Sequence, residues 1–427
     1  CSGPWGVGRI RIARFRLFAD SVKVSCEGEE GNDEDHEDEV GSAASQPIAQ
    51  YAQGTVTAAT PHRHFMTLAL RLAAKGQGKT SPNPMVGALV VKNGRIVGRG
   101  SHQGPGQPHA EILALNQAGP RARGATLYVT LEPCCHLRKR TPPCVPAVRQ
   151  SGVRQVVVAM TDPNPMVKGR GIAALRRAGI TVTTGLAQEE AAQLNRAYVH
   201  WVTTGRPYVI LKAGMTLDGK VATAKGESRW ITGPRARQDA HRLRSQVDAV
   251  VVGVGTILQD DPTLTARLSA RPLKLASRQP LRVVLDSRLR TPPTATVCAK
   301  QDRAKTLIVT TSRAFRARRR PFERAGVEIL SLSTKNGCVS LPALMTMLGK
   351  RGITSVLIEG GSTVNAAALR EKLVNHVVLY LAPTLMGGQD AKAVIGDRSP
   401  KRLAQALPLR HLTVRRIGTD LAVEGDL

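Results

Sequence analysis

The 427-residue sequence predicts two α/β units in series behind an N-terminal extension without a core of its own. Three observations carry that expectation. Short apolar runs alternate with stretches of helical spacing from His62 onward, the pattern of strands and helices that build a mostly parallel sheet covered on both faces. The same alternation starts again after Thr203-Thr204-Gly205 and Pro207, which places a boundary near residue 205. A hydrophobic fraction of 42% is enough for two ordinary cores.

Residues 1–61 show no sustained period, contain the run EGEEGNDEDHEDE from Glu27 to Glu39, and end in small polar residues; such a composition buries too little apolar surface to order itself. The first methionine is Met66, so this stretch reads as an upstream extension on which nothing later depends. The first unit is expected over 62–205. RHFMTLALRLAAKG has helical spacing, GALVVKNGRIVGRG brackets an Asn-Gly hairpin turn, and PHAEILALNQAG reads as a helix. ATLYVTLEP is a strand, TPPCVPAVRQSG a helix with proline in its first turn, RQVVVAM a buried strand, and GRGIAALRRAGI a helix leading to another strand. In the second unit, 206–427, strand-like runs are RPYVILKAGMTLDGKVA, VDAVVVGVGTIL, PLRVVLDS, KTLIVTTS, SVLIEGGST and HVVLYLAPTLMGG, separated by helix-like or irregular stretches such as GPRARQDAHRLRSQ.

No run of about eighteen apolar residues occurs, and the first twenty residues alternate arginine with apolar groups where a signal peptide would have its apolar core. A soluble, cytoplasmic protein is expected. The formal charge is +29; residues 1–61 hold five Lys/Arg and ten Asp/Glu, so the remainder carries 56 against 22, about +34. Such a field attracts nucleic acid, phosphorylated metabolites and dinucleotides alike, while an aromatic content of 3% speaks against base-stacking platforms. Seven cysteines, odd in number and unevenly spread, do not form a disulfide framework; Cys134, Cys135 and Cys144 fall within eleven residues, which points to metal or catalysis.

A catalytic zinc needs three protein ligands and one open position, and a histidine with two thiolates meets that demand. His109 opens one expected helix, Cys134 follows a strand, and Cys144 lies in the first turn of another helix, where unpaired N–H groups favour a thiolate. Glu111, two residues after His109, is placed to move protons on the water at the open position. H-x-E followed by Pro-Cys is the order known for zinc deaminases, although C-x₉-C between Cys134 and Cys144 replaces the usual C-x-x-C. The second unit has no G-x-G-x-x-G; IEGGSTVN, a strand end, two glycines and a helix start, is a weak anion-site signal.

SPNPMVGALVVKNGRIVGRG, HQGPGQPHAE, YVTLEPCCH, RTPPC and DPNP resemble the deaminase half of the bifunctional deaminase/reductase family of riboflavin biosynthesis. LKAGMTLDGKVA, GESRWITG, VGVGTILQDDPTLTARL, VVLDS, IEGGSTVN and LAPTLMGG resemble its reductase half, in the same order. The resemblance covers about residues 62–427. It implies a cytidine-deaminase-like three-layer α/β/α domain followed by a dihydrofolate-reductase-like α/β domain, with Zn²⁺ and NADPH as cofactors and a homodimer or homotetramer. By the same resemblance His109, Cys134 and Cys144 hold zinc and Glu111 shuttles protons, while Asn83, His102, Arg140, Asp162 and Asn164 contact a pyrimidine ribosyl phosphate. Gly214, Trp230, Thr256, Asp260 and the run Gly361, Ser362, Thr363, Val364, Asn365, Ala366 and Ala367 would line NADPH. Ser228, Arg244, Leu264 and Arg267 would hold the sugar phosphate, with Lys212 and Glu359 at the reacting ribose carbon. One departure is present: HLRKR adds a residue between the ligand cysteines and lacks the family's His-x-Gly, which leaves Cys135 as a rival to Cys134. A nucleic-acid deaminase of the tRNA type with a second binding domain is the alternative class; the wide cysteine spacing and the reductase motifs speak against it.

Overall fold

The computed structural model describes residues 59–137, 141–268, 278–396 and 399–427. The expected disorder of the extension falls on residues 1–58, outside that set, and the first helix, α1 (Ala59–Ala74), begins three residues before His62. It leads into β1 (Gly87–Lys92) and β2 (Arg95–Ser101), joined by Asn93 and Gly94 at φ 49° and 73°; both sit in the left-handed region that an Asn-Gly pair tolerates best. There follow α2 (Ala110–Ala118), β3 (Thr126–Leu131), α3 (Cys144–Gln150), β4 (Gln155–Met160), α4 (Arg170–Arg177), β5 (Thr181–Thr184), α5 (Gln188–Leu194) and α6 (Arg196–Thr204). The strands form one sheet in the order β2-β1-β3-β4-β5, with β3, β4 and β5 parallel, β1 antiparallel to β3, and β2 antiparallel to β1.

Strand alternation decides the layers. Val90, Leu127, Val129 and Val156 face α2, α3 and α4, while Leu89, Tyr128, Val157 and Ala159 face α1, α5 and α6. The result is the three-layer α/β/α arrangement. Helices α5 and α6 were not among the helices expected from the sequence.

The second sheet begins with β6 (Tyr208–Thr216), the short β7 (Lys220–Ala222), α7 (Pro234–Gln246), β8 (Ala249–Gly253) and α8 (Val254–Asp260). It continues with β9 (Leu281–Leu285), α9 (Thr296–Ala299), β10 (Thr306–Thr311), α10 (Ser312–Arg318), α11 (Arg320–Arg324) and β11 (Glu328–Leu332). A minor hairpin of β12 (Thr334–Lys335) and β13 (Cys338–Val339) precedes α12 (Leu341–Lys350), β14 (Ser355–Ile358), α13 (Ser362–Arg370) and β15 (His376–Ala382). Strand β16 (Lys392–Ala393) pairs with β7, and β17 (Arg410–Ile417) with β18 (Asp420–Asp426) closes the chain. The order is β11-β10-β9-β8-β14-β6-β15-β18-β17: seven parallel strands, then an antiparallel pair at one edge. Valine, isoleucine and leucine dominate β8, β9, β10 and β14, with Arg282 the one charged residue among them, because helices cover both faces there.

One expectation is corrected. VDAVVVGVGTIL is not strand throughout: pairing stops at Gly253, and Val254, Ile257 and Leu258 take helical spacing in α8. A Cβ at Gly253 would lie 2.9 Å from Val364, so the chain turns where two strand-to-helix junctions touch. Strand β17 also went unforeseen, because almost every residue of RHLTVRRI is exposed and no apolar face marks it.

Gly100 on β2 sets how closely α2 approaches the sheet, since a Cβ there would sit 1.9 Å from the carbonyl oxygen of Ala110. Gly100→Ala is expected to cost about 1–3 kcal/mol by forcing the helix outward. The loss will show as a lower urea midpoint by circular dichroism and a weakened metal content, since Ala110 lies between His109 and Glu111.

Candidate active site

The N-terminal site forms where three helix or strand ends meet. His109 is the N-cap of α2, Glu111 lies in its first turn, Cys134 follows β3, and Cys144 starts α3. Nδ1 of His109 stands 3.5 Å from Sγ of Cys134 and 3.3 Å from Sγ of Cys144, and the three donor atoms lie within 4.8 Å of one another. The backbone N–H of Cys144 points at Cys134, 3.4 Å from its sulfur and 3.0 Å from its carbonyl oxygen, so the start of α3 helps hold a thiolate. With Nδ1 turned to the sulfurs, the imidazole proton belongs on Nε2, which lies 3.1 Å from Oγ1 of Thr141; such outer partners orient metal-binding imidazoles. Two sulfurs and an oriented nitrogen fit a zinc ion with one position left over. Among the described residues no fourth His, Cys, Asp or Glu joins the cluster.

Cys135, the rival ligand, is not part of it. Its side chain packs against the core between the sheet and α2, and burial pushes its thiol up, with Glu132 and Cys134 adding to the effect. The extra loop residue is therefore taken up after Cys134, and the Glu-Pro-Cys register is kept.

A cavity of about 400 Å³ opens beside the cluster, lined by Asn83, His102, His109, Glu111, Cys134, Asp162 and Asn164 among others. All these residues were expected to act together, and the fold brings them together; Arg140 lies outside the described residues. Nδ2 of Asn83 is 3.0 Å from Nε2 of His102, whose ring meets that of His109 edge-on at 5.2 Å. Glu111 is buried, and that burial raises its carboxyl above the ordinary range, with Cys134 adding to the rise. Burial likewise pushes Asp162 up to about 6, against the bonds it accepts from the Asn164 N–H and the Tyr198 hydroxyl.

Sequence reasoning missed Glu132. Its buried carboxylate accepts N–H groups from Asp162, Gly169, Gly171 and Ile172 at 2.8–3.2 Å, tying the end of β3 to the Asp162 loop and the start of α4. A glutamate at the end of a buried strand, directly before Pro-Cys, was the available signal. Tyr198 and Trp201, both on α6 and both lining the cavity, had none.

In the second sheet Lys212 on β6 and Glu359 after β14 are brought side by side by the parallel register that pairs Leu211 with Ile358. Arg244 on α7 donates from Nε at 2.7 Å and from Nη2 at 2.5 Å to the two oxygens of Glu359, and from Nη1 at 3.3 Å to the Thr265 carbonyl. Burial opposes ionisation of Glu359, but Arg244 and then Lys212 outweigh it and hold the carboxyl down to about 2. Burial lowers the Lys212 ammonium below its usual value despite Glu359. Burial with Arg244 and Arg267 nearby also brings His241 down to about 4, so its ring is neutral near pH 7 and sits 3.1 Å from Nη2 of Arg267.

The remaining expected residues lie along the carboxyl edge of this sheet. Thr256 is in the first turn of α8, Gly361 is the N-cap of α13, and nothing stands within 4 Å of a Cβ built at Gly361, so a ligand can reach the amides of Ser362 and Thr363. Val364 is packed against Gly360, and Asn365 donates at 2.9 Å to the Val394 carbonyl. Ala366 is buried, Ala367 packs against the core, and a Cβ built at Gly214 would lie 3.1 Å from the Thr232 side chain. Ser228 and Asp260, expected on different ligands, bond to each other at 3.0 Å. Trp230 is 70% exposed, with the Arg237 guanidinium 4.4 Å above its ring. The Leu264 side chain belongs to the core, which leaves only its backbone, at φ 52°, for a ligand.

Residues 59–160 match the family described as "Cytidine and deoxycytidylate deaminase zinc-binding region", and residues 207–423 match "RibD C-terminal domain". The riboflavin biosynthesis protein RibD of Aquifex aeolicus is 42% identical over 361 residues, 84% of this chain and 97% of its own. The chain belongs to the RibD family. RibD of Escherichia coli K12 is 41% identical, covering 84% of this chain and 98% of its own. Among solved structures, RibD of Acinetobacter baumannii aligns with a TM-score of 0.79 at 38% identity, covering 87% and 100% of the two chains. A Thermotoga maritima diaminohydroxyphosphoribosylaminopyrimidine deaminase/5-amino-6-(5-phosphoribosylamino)uracil reductase aligns at 0.75 and 36%, covering 86% and 99%. This RibD-family chain is thus a bifunctional deaminase and reductase of riboflavin biosynthesis, and the nucleic-acid alternative is not favoured. No helix of the described residues is long and apolar enough to cross a membrane.

The cluster geometry separates the two cysteines experimentally. Cys134→Ser is expected to reduce bound zinc well below one equivalent per chain, and Cys135→Ser to leave it near one, as read by elemental analysis of purified protein. Equal zinc loss in both variants would contradict the placement of Cys135 in the core.

Proposed function

We propose that the chain removes the 2-amino group of 2,5-diamino-6-(5-phosphoribosylamino)pyrimidin-4(3H)-one and then reduces the ribosyl side chain to ribityl, giving 5-amino-6-(5-phosphoribitylamino)uracil. The observation that carries this is the convergence of His109, Cys134 and Cys144 beside buried Glu111 in a cavity large enough for a nucleotide-sized pyrimidine. Zinc held by those three side chains supplies, when bound, the Lewis acidity that makes a water nucleophilic near neutral pH. Glu111 takes the proton of that water and passes it to the departing amine, a transfer for which a carboxyl raised by burial is well matched. Asn83, His102, Arg140, Asp162 and Asn164 hold the pyrimidine and its ribosyl phosphate.

At the second site NADPH, when bound, supplies a hydride. Gly214, Trp230, Thr256, Asp260 and the segment from Gly361 to Ala367 hold the cofactor, with the open N-cap of α13 suited to its phosphates. Ser228, Arg244, Arg267 and the backbone of Leu264 hold the sugar phosphate, Arg244 while also fixing Glu359 through two hydrogen bonds. Lys212, its ammonium made more acidic by burial, delivers a proton to the reduced sugar, and Glu359 balances its charge. We place the deaminase over residues 62–205 and the reductase over 206–427, in the cytoplasm, as a homodimer or homotetramer.

Two variants test the division of labour. Glu111→Gln is expected to lower ammonia release about 10²–10⁴-fold while NADPH oxidation on supplied deaminated substrate continues. Lys212→Ala is expected to abolish NADPH oxidation while ammonia release persists. A common loss in either variant would refute two independent sites.

A further inference from the structure

The wall of the deaminase cavity is anchored on the reductase half. The loop of residues 75–86, between α1 and β1, carries Pro82, Asn83 and Pro84 into the cavity. On one side it is seated on residues of the second unit that lie on α7 and just before β8 and β9. Gly78, at φ 74°, comes so close to α7 that a Cβ would lie 2.5 Å from the Ser245 carbonyl oxygen. Ser81 Oγ donates to Oδ2 of Asp248 at 2.7 Å, and Arg278 Nη1 donates to the Ser81 carbonyl at 3.0 Å. Asp248 is itself fixed: the same oxygen accepts the Thr354 N–H and hydroxyl at 2.7 and 2.8 Å and the Ser355 N–H at 3.2 Å, at the start of β14.

On the other side Asn195, buried at the start of α6, accepts the Met85 N–H at 2.7 Å and donates to the Met85 carbonyl at 3.0 Å. The next turns of α6 place Tyr198 on Asp162 and Trp201 against the cavity, with the Trp201 indole N–H donating to the Gly349 carbonyl of α12 at 2.9 Å. Gly349 in turn lies so close to Gly205 that a Cβ would be 2.0 Å from its carbonyl oxygen. The segment bearing Asn83 is thus held at Ser81 and at Met85, and the α6 wall of the cavity is tied down at Trp201; the Ser81 and Trp201 bonds end on a buried carboxylate and a backbone carbonyl of the reductase half.

We propose that Ser81 and Trp201 are positioning residues for deamination, through which the reductase half sets the geometry of the deaminase cavity. This rests on assigning that cavity to the pyrimidine substrate. A seam that only held the two halves together would have no reason to end on the residues next to Asn83 and on the wall itself. Asn83 is 3.0 Å from His102, so a shift of the loop moves two substrate-facing groups at once.

The test is the steady-state kinetics of the full chain loaded with zinc, on the diaminopyrimidine substrate. Ser81→Ala keeps the Thr354, Ser355 and Arg278 groups that hold Asp248 and removes only the contacts of the Ser81 hydroxyl with Asp248 and Thr354; KM for ammonia release is expected to rise about five- to tenfold, with kcat within about twofold and NADPH oxidation on supplied deaminated substrate unchanged. Ser81→Thr, which keeps the hydroxyl, restores KM. Trp201→Phe, which keeps a ring but loses the N–H, raises KM likewise and carries the test if Ser81→Ala does not fold. Wild-type KM in Ser81→Ala and Trp201→Phe, or a parallel fall of both activities with the thermal midpoint, would overturn the proposal. A wild-type chain that releases no ammonia would instead overturn the deaminase assignment itself.

Discussion

Two thiols and an imidazole do not gather within 4.8 Å of one another without a reason, because thiolates repel and ionised sulfur is costly to bury. The reason lies in where the chain turns. Strand β3 ends at Leu131, α2 and α3 begin at the same edge of the sheet, and the N–H groups of Cys144 and Val145 at the start of α3 point at Cys134. Those partial positive charges offset part of the cost, and a divalent cation offsets the rest. Glu111 and the cavity inherit their positions from that convergence. So does Glu132, whose four accepted N–H bonds pin the Asp162 loop and α4 to the end of the same strand.

The second site solves a related problem with opposite signs. Glu359 is a buried carboxylate, which its surroundings would drive to the neutral form if it stood alone. Arg244 meets it with two hydrogen bonds and Lys212 stands in the neighbouring strand, so the anion is retained between two cations. One carboxyl in the chain is therefore pushed up by burial, and another is held down by paired cations. That difference follows from which residues each strand end faces, and it suits the first to relay protons and the second to carry a permanent charge.

Much of this was legible before any coordinates. The Asn-Gly hairpin, the apolar runs of β3, β4, β8, β9, β10 and β14, and the donor set His109, Cys134 and Cys144 that the fold gathers each follow from local chemistry: left-handed turns, strands buried on both faces, and donor types that suit zinc. Elements without a local signature were missed. Strand β17 has no buried face, α8 continues an apolar run that looked like strand, and α5 and α6 carry too few buried side chains to stand out. Leu264 matched a ligand-binding motif by position, yet its side chain turned to the core because only tertiary packing determines which way a loop residue faces.

By itself the sequence determined the chemistry available: which groups can bind a metal, move a proton or pair with phosphate, and in what order they follow along the chain. The tertiary structure alone decided between Cys134 and Cys135, paired Arg244 with Glu359, and brought Asp248 to Ser81 and Trp201 to Gly349 across separations of more than a hundred residues. Donor identity is a property of a residue, whereas the partner a buried group finds depends on strand order and helix packing, and no local pattern encodes those.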